Sequence, residues 1–166
     1  MLKRLFGNTA VSKEVIIKSP VSGKYVDLAD IPDPTFSEKR MGDGFAVEPD
    51  EGKIVSPING KIVQIFPSKH AIGIKSEEGL DILIHIGLEN VSLKGIGFEV
   101  HVNEGDRIKT GDILIEFNLE EVVQDSICAV TPVVFTEGSQ VVKMMREEVS
   151  NLIAGDTEIM TIKVKS

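Results

Sequence analysis

Short apolar runs separated by polar turns make up most of the chain, and glycine or proline marks a turn every ten residues or so. That is the spacing of short strands in sandwiches and barrels. Strands are expected from Val15 onward. Residues 1–14, with Lys3, Arg4 and Lys13 among Leu2, Leu5 and Phe6, show no strand periodicity and read as a flexible basic leader. Residues 19–26 (Ser-Pro-Val-Ser-Gly-Lys-Tyr-Val) return as residues 56–63 (Ser-Pro-Ile-Asn-Gly-Lys-Ile-Val), 37 positions later, which implies two similar turn-and-strand units. A second echo joins residues 104–108 to 111–115 and continues in Gly155-Asp156 before the run 159–164. Glycine turns that feed short strands suit the pseudo-repeat of a sandwich or closed sheet. A short helix is expected over 119–126, where Glu120 and Glu121 fall in the first turn. Residues 140–153 are ambiguous: Val141, Met144, Met145, Val149 and Ile153 recur at helical spacing, as a packed face does rather than a cofactor box.

Composition supports the strands. The chain has 19 Val and 20 Ile against 10 Leu and 6 Ala, an excess of β-branched over helix-favouring residues. Its 166 residues suit one all-β domain, assigned here to residues 15–166. A net charge of −8 and only eight aromatic residues offer no basic field or stacking platform, which excludes nucleic acid. No apolar stretch approaches the roughly 20 residues of a membrane span. The single Cys128 permits no internal disulfide and reads as a buried small residue. With no signal-peptide run at the start, a soluble protein of the reducing cytoplasm is expected.

Two of the three histidines stand in a relation that arithmetic exposes. Residues 68–86 read as two apolar strands around Ser76-Glu77-Glu78-Gly79. If the hairpin is centred between Glu77 and Glu78, opposed residue numbers sum to 155 and His70 faces His85. Opposed residues share a face with Cβ atoms about 5 Å apart, so the two imidazoles would project side by side. Burial among isoleucines and mutual repulsion both disfavour protonation, leaving a neutral ring with a free lone pair. Such a pair can bind a metal if other ligands appear, act as acid and base, or use one ring as a nucleophile steadied by the other. His101, before the polar turn 103–106, has no such partner histidine and reads as a solvated strand residue. Gly-Lys at 23–24 and 60–61 lacks the rest of a phosphate loop, and HExxH and GxSxG are absent, so nucleotide cradles and the hydrolase motifs find no support.

Residues 32–49 (Pro-Asp-Pro-Thr-Phe-Ser-Glu-Lys-Arg-Met-Gly-Asp-Gly-Phe-Ala-Val-Glu-Pro) closely resemble the segment leading into the active-site face of the glucose-family enzyme IIA of the bacterial phosphoenolpyruvate-dependent sugar phosphotransferase system. Further similar motifs follow in order at 56–60, 70–74, 83–87, 91–95 and 104–112. The resemblance implies an antiparallel β-sandwich with short helical segments and a phosphocarrier function. His85 then carries the phosphoryl group and His70 contacts the phosphate. Ser68 matches a hydroxyl that orients His70, and the Gly87 carbonyl holds the His85 ring. Asp43 and Glu89 match acidic positions flanking the site, although Leu88-Glu89-Asn90 stands where Ile-Asp-Thr is commoner and Ile96 replaces a frequent acidic residue.

The mechanism implied is in-line transfer from phosphohistidine on HPr to His85, and onward to a cysteine on the enzyme IIB domain of a sugar permease, without cofactor or metal. Phe45, Val47 and Ile86 would form an apolar docking patch. Asp43 would shape the rim, because its carboxylate repels phosphate. A regulatory module that binds transporters or kinases according to its phosphorylation state is the alternative. The run 104–112 also resembles biotinyl and lipoyl carrier turns, but no swinging-lysine motif accompanies it.

Overall fold

The computed structural model describes residues 13–88, 97–125 and 129–165. Among them fourteen strands form: β1 (Lys13–Lys18), β2 (Gly23–Val26), β3 (Asp43–Pro49), β4 (Lys53–Val55), β5 (Gly60–Ile65), β6 (Ala71–Ser76) and β7 (Asp81–His85) come first. They are followed by β8 (Phe98–Val100), β9 (Arg107–Ile108), β10 (Ile113–Phe117), β11 (Thr131–Phe135), β12 (Val141–Arg146), β13 (Asn151–Leu152) and β14 (Glu158–Val164). Two short helices are α1 (Pro34–Ser37) and α2 (Leu119–Asp125). An eight-stranded sheet in the order β13-β2-β3-β11-β7-β6-β5-β9 faces two three-stranded sheets, β1-β14-β12 and β4-β10-β8. Every pairing is antiparallel.

The main core lies between these layers and draws on all three sheets: Phe45, Ile72, Ile82 and Ile84 from the large one, Ile17 and Ile162 from the second, Leu114 and Ile115 from the third. A smaller cluster of Leu28, Ile31, Phe36, Ala46, Ala71, Leu83, Leu88 and Val134 covers the outer face of the large sheet. The central strand β11 is therefore buried at every position, and a strand covered on both faces reads as a continuous apolar run rather than an alternation.

The first echo is a structural repeat. Ser19 Oγ donates to Val21 O at 2.7 Å and Ser56 Oγ to Ile58 O at 2.6 Å, both buried. Each turn opens a strand on a glycine, where a Cβ would strike a backbone oxygen of the neighbouring strand: Glu48 O at Gly23, Lys75 O at Gly60. The two turns also exchange backbone bonds, Lys18 N–H to Pro57 O at 3.1 Å and Val55 N–H to Pro20 O at 2.7 Å.

Helix α2 forms as expected, with the Asn118 side chain accepting the Glu121 N–H at 3.0 Å as its cap. Residues 140–153 are not helical. Val141–Arg146 is a strand paired with β14, and Ile153 is 60% exposed, so the helical spacing of their apolar residues does not reflect one packed face. The β-branched pair Val141-Val142 and the free edge of β14 decide in favour of the sheet. Strand β1 starts at Lys13, two residues before the expected start at Val15. The expectations for residues 1–12, Glu89, Ile96 and Cys128 lie outside the described residues. Among the described residues no helix is long and apolar enough to cross a membrane.

Candidate functional site

Two hairpins that share β6 bring His70 and His85 to one end of the large sheet. The β6–β7 hairpin closes through a three-residue loop, Glu77-Glu78-Gly79. Gly79 has φ +98°, the left-handed position that such loops give to glycine. Ser76 N–H donates to Leu80 O, and Ser76 Oγ accepts the Leu80 N–H, both at 2.9 Å. The centre of the hairpin is thus Glu78, opposed numbers sum to 156, and His85 faces Ala71 rather than His70. The expected register was one residue out, because a two-residue centre was assumed where the turn takes three.

The histidines meet by a different route. Strand β5 passes to β6 through Phe66-Pro67-Ser68-Lys69-His70, so His70 is the last residue of a loop and not part of the pleat. Its backbone carbonyl accepts the Ile86 N–H at 2.7 Å. The two rings stand edge to face, with centroids 4.6 Å apart and planes at 81°. Phe36 of α1 packs on His85 at 5.3 Å and Phe66 on His70 at 6.4 Å.

Hydrogen bonds fix each ring. His85 Nδ1 lies 2.8 Å from the Gly87 carbonyl. A carbonyl only accepts, so Nδ1 carries the proton and, in the neutral ring, Nε2 keeps its lone pair. Ser68 Oγ bonds His70 Nδ1. With the hydroxyl donating, His70 carries its proton on Nε2. Burial pushes the His70 pKa down to about 4, and the neighbouring His85 pushes the same way. Burial also lowers His85, opposed by the Gly87 carbonyl and by the negative charge of Asp33. Both rings are neutral near pH 7: one presents a lone pair and the other an N–H beside it, which suits a nucleophile paired with a donor to a developing anion.

Sequence reasoning missed Asp33. Its side chain caps α1 by accepting the Thr35 N–H at 3.0 Å, and its charge acts on His85. The signal was present in Asp33-Pro34, an N-cap followed by proline at the first helical position. Asp43 begins β3, where its carboxylate pairs with Lys39 at 3.3 Å and accepts the Gly44 N–H at 2.8 Å. Phe45, Val47 and Ile86 are fully buried, so they form core and offer no docking patch. Phe36, Ala71, Leu83 and Leu88 of the outer-face cluster are buried as well, and of these Phe36 packs on the His85 ring. His101 lies just past β8, with Nε2 bonded to Glu116 at 2.8 Å and 3.6 Å from Glu99. These three exposed groups lie within ligand distance of one another, whereas no acidic or cysteine residue joins His70 and His85 as a third metal ligand among the described residues.

Residues 15–141 match the family described as phosphoenolpyruvate-dependent sugar phosphotransferase system, EIIA 1. The chain is 48% identical to the PTS system glucose-specific EIIA component of Halalkalibacterium halodurans over 172 residues, covering 99% of each. It is 45% identical to that of Staphylococcus epidermidis over 165 residues, again with 99% of each covered. In fold it is similar to the glucose permease IIA from Mycoplasma capricolum, with a TM-score of 0.81 and 32% identity over 90% of this chain and 96% of that one.

Proposed function

The chain belongs to the EIIA family of the phosphoenolpyruvate-dependent sugar phosphotransferase system, and from that premise we propose that His85 carries the phosphoryl group and that His70 steadies it. The family assignment makes the protein a phosphocarrier and a phosphotransferase component of sugar uptake, and favours this over a purely regulatory module. Its partners are proteins of the same system. HPr supplies the group and the IIB domain of a sugar permease takes it, in the cytoplasm.

The observation that carries the residue assignment is the Nδ1–H bond of His85 to the Gly87 carbonyl, with the His70 ring 4.6 Å away. The neutral Nε2 of His85 attacks the phosphorus of phospho-HPr. A new P–N bond forms as the donor's P–N bond breaks, and the donor histidine leaves as neutral imidazole. In the second step a thiolate on IIB attacks the same phosphorus and His85 is released with its lone pair restored. The transition state is loose and its charge is spread over the phosphoryl oxygens, so positioning and donors matter most. His70 Nε2–H donates to one of those oxygens. Ser68 holds the opposite nitrogen of that ring, and Asp33 supports the partial positive charge that grows on His85 as it attacks.

Intact-mass measurement after incubation with phosphoenolpyruvate, enzyme I and HPr tests this. Wild type gains one acid-labile phosphoryl group, His85→Ala gains none, and His70→Ala gains it but passes it to IIB at least tenfold more slowly. A folded wild type that gains no mass would falsify the assignment.

A further inference from the structure

The Ser68 hydroxyl and the His70 ring it bonds belong to residues two apart in a five-residue loop. Two residues of extended chain place like-facing side chains about 6.6 Å apart, too far for that bond. The chain closes the distance at Lys69, whose φ of +64° is left-handed. The surrounding backbone bonds hold it there. Phe66 N–H donates to Ala71 O at 3.1 Å and Ile86 N–H to His70 O at 2.7 Å, fixing the far end of the loop. Lys69 N–H donates to Phe66 O at 2.8 Å, completing a turn with Pro67 in its second position. Glycine and asparagine enter the left-handed region readily, and lysine is disfavoured there. The lysine side chain is exposed. A strained backbone is thus kept at the bond that joins the Ser68 turn to the His70 ring, and strain of this kind persists where the surroundings dictate a working geometry.

We propose that Lys69 is a positioning residue of the phosphoryl-transfer site: its left-handed backbone, rather than its ammonium, seats the Ser68 hydroxyl on Nδ1 of His70 and thereby fixes the tautomer that presents Nε2–H to the phosphoryl group. This rests on the roles given above to His70 and His85. Lys69 exchanges no atom with the substrate and acts only through Ser68 and His70. Lys69→Gly and Lys69→Asn remove the ammonium and keep the conformation. Lys69→Val keeps neither, because a β-branched residue resists positive φ.

The experiment compares the full chain with these three variants through two readouts. Ring nitrogen shifts of His70, measured by NMR at pH 7.5 without any phosphoryl donor, are expected to show one Nε2–H tautomer in wild type, Lys69→Gly and Lys69→Asn, and a tautomer mixture in Lys69→Val. Rapid-quench transfer from the phosphorylated protein to IIB is expected to stay within twofold of wild type for Gly and Asn and to slow at least tenfold for Val. Equal losses in all three variants assign the effect to the ammonium and overturn the proposal. So does a Val variant that keeps both the tautomer and the rate. If Lys69→Val does not fold, the other two decide: retention of tautomer and rate upholds the backbone role, and loss of either removes it. A wild type that accepts no phosphoryl group signals failure of the carrier assignment instead, since the nitrogen shifts are read without transfer.

Discussion

At the scale of single residues, burial sets the protonation of both histidines and gives the protein a pH dependence of known sign. An unfolded histidine takes up its proton as pH falls through about 6.5, whereas folded His70 stays neutral down to about 4. The unfolded state therefore binds more protons across that window, and stability falls as the pH drops through it. The thermal midpoint of wild type relative to His70→Gln is expected to be flat above pH 7 and to decline between pH 6.5 and 4; a flat difference throughout would show that His70 titrates normally. Asp33 permits a second separation. Asp33→Asn keeps the α1 cap and removes the charge, so the His85 pKa falls further at little cost in stability, while Asp33→Ala loses the cap as well, at about 1 kcal/mol. NMR titration of His85 beside urea unfolding distinguishes the two effects. Of the residues singled out from sequence, His70, His85, Ser68 and Gly87 come together. The Asp43 carboxylate is taken up by Lys39 and Gly44, because a residue that starts a strand has its partners chosen by the local turn.

At the scale of elements, one turn controls which face each side chain takes. A one-residue change in a hairpin moves every residue of the strand to the opposite face. The β6–β7 loop holds its register through Gly79 and the Ser76 hydroxyl. Nothing lies within 4 Å of a Cβ added at Gly79, so Gly79→Ala tests backbone strain alone. It is expected to cost about 1 kcal/mol by urea unfolding while leaving phosphoryl acceptance intact. A variant as stable as wild type would show that the loop relaxes into another turn. Strand β12 carries the complementary lesson. Its apolar spacing fits a helix as well, and beside the local preference of Val141-Val142 the edge of β14, invisible to a local pattern, makes it a strand.

At the scale of the whole molecule, the Ser-Pro echo ties the two layers together. The Ser19 and Ser56 turns exchange backbone bonds, and each buries its hydroxyl against its own carbonyl. Ser19→Ala and Ser56→Ala should each cost about 1 to 2 kcal/mol. The double variant should depart from the sum by at least about 0.5 kcal/mol, since the sites share a network, and strict additivity in a urea-denaturation cycle would mean that the turns act independently. The sequence by itself determined the all-β class, the repeat, the short helix α2 and the identity of the histidine pair, because strand patterning, glycine turns and motif spacing are local properties. Only the tertiary structure decided the hairpin register, the burial of Phe45, Val47 and Ile86, the placement of the α1 cap Asp33 near His85, and the left-handed backbone of Lys69 between Ser68 and His70. Those depend on how turns close and which surfaces cover one another, and such contacts join residues that no local pattern relates.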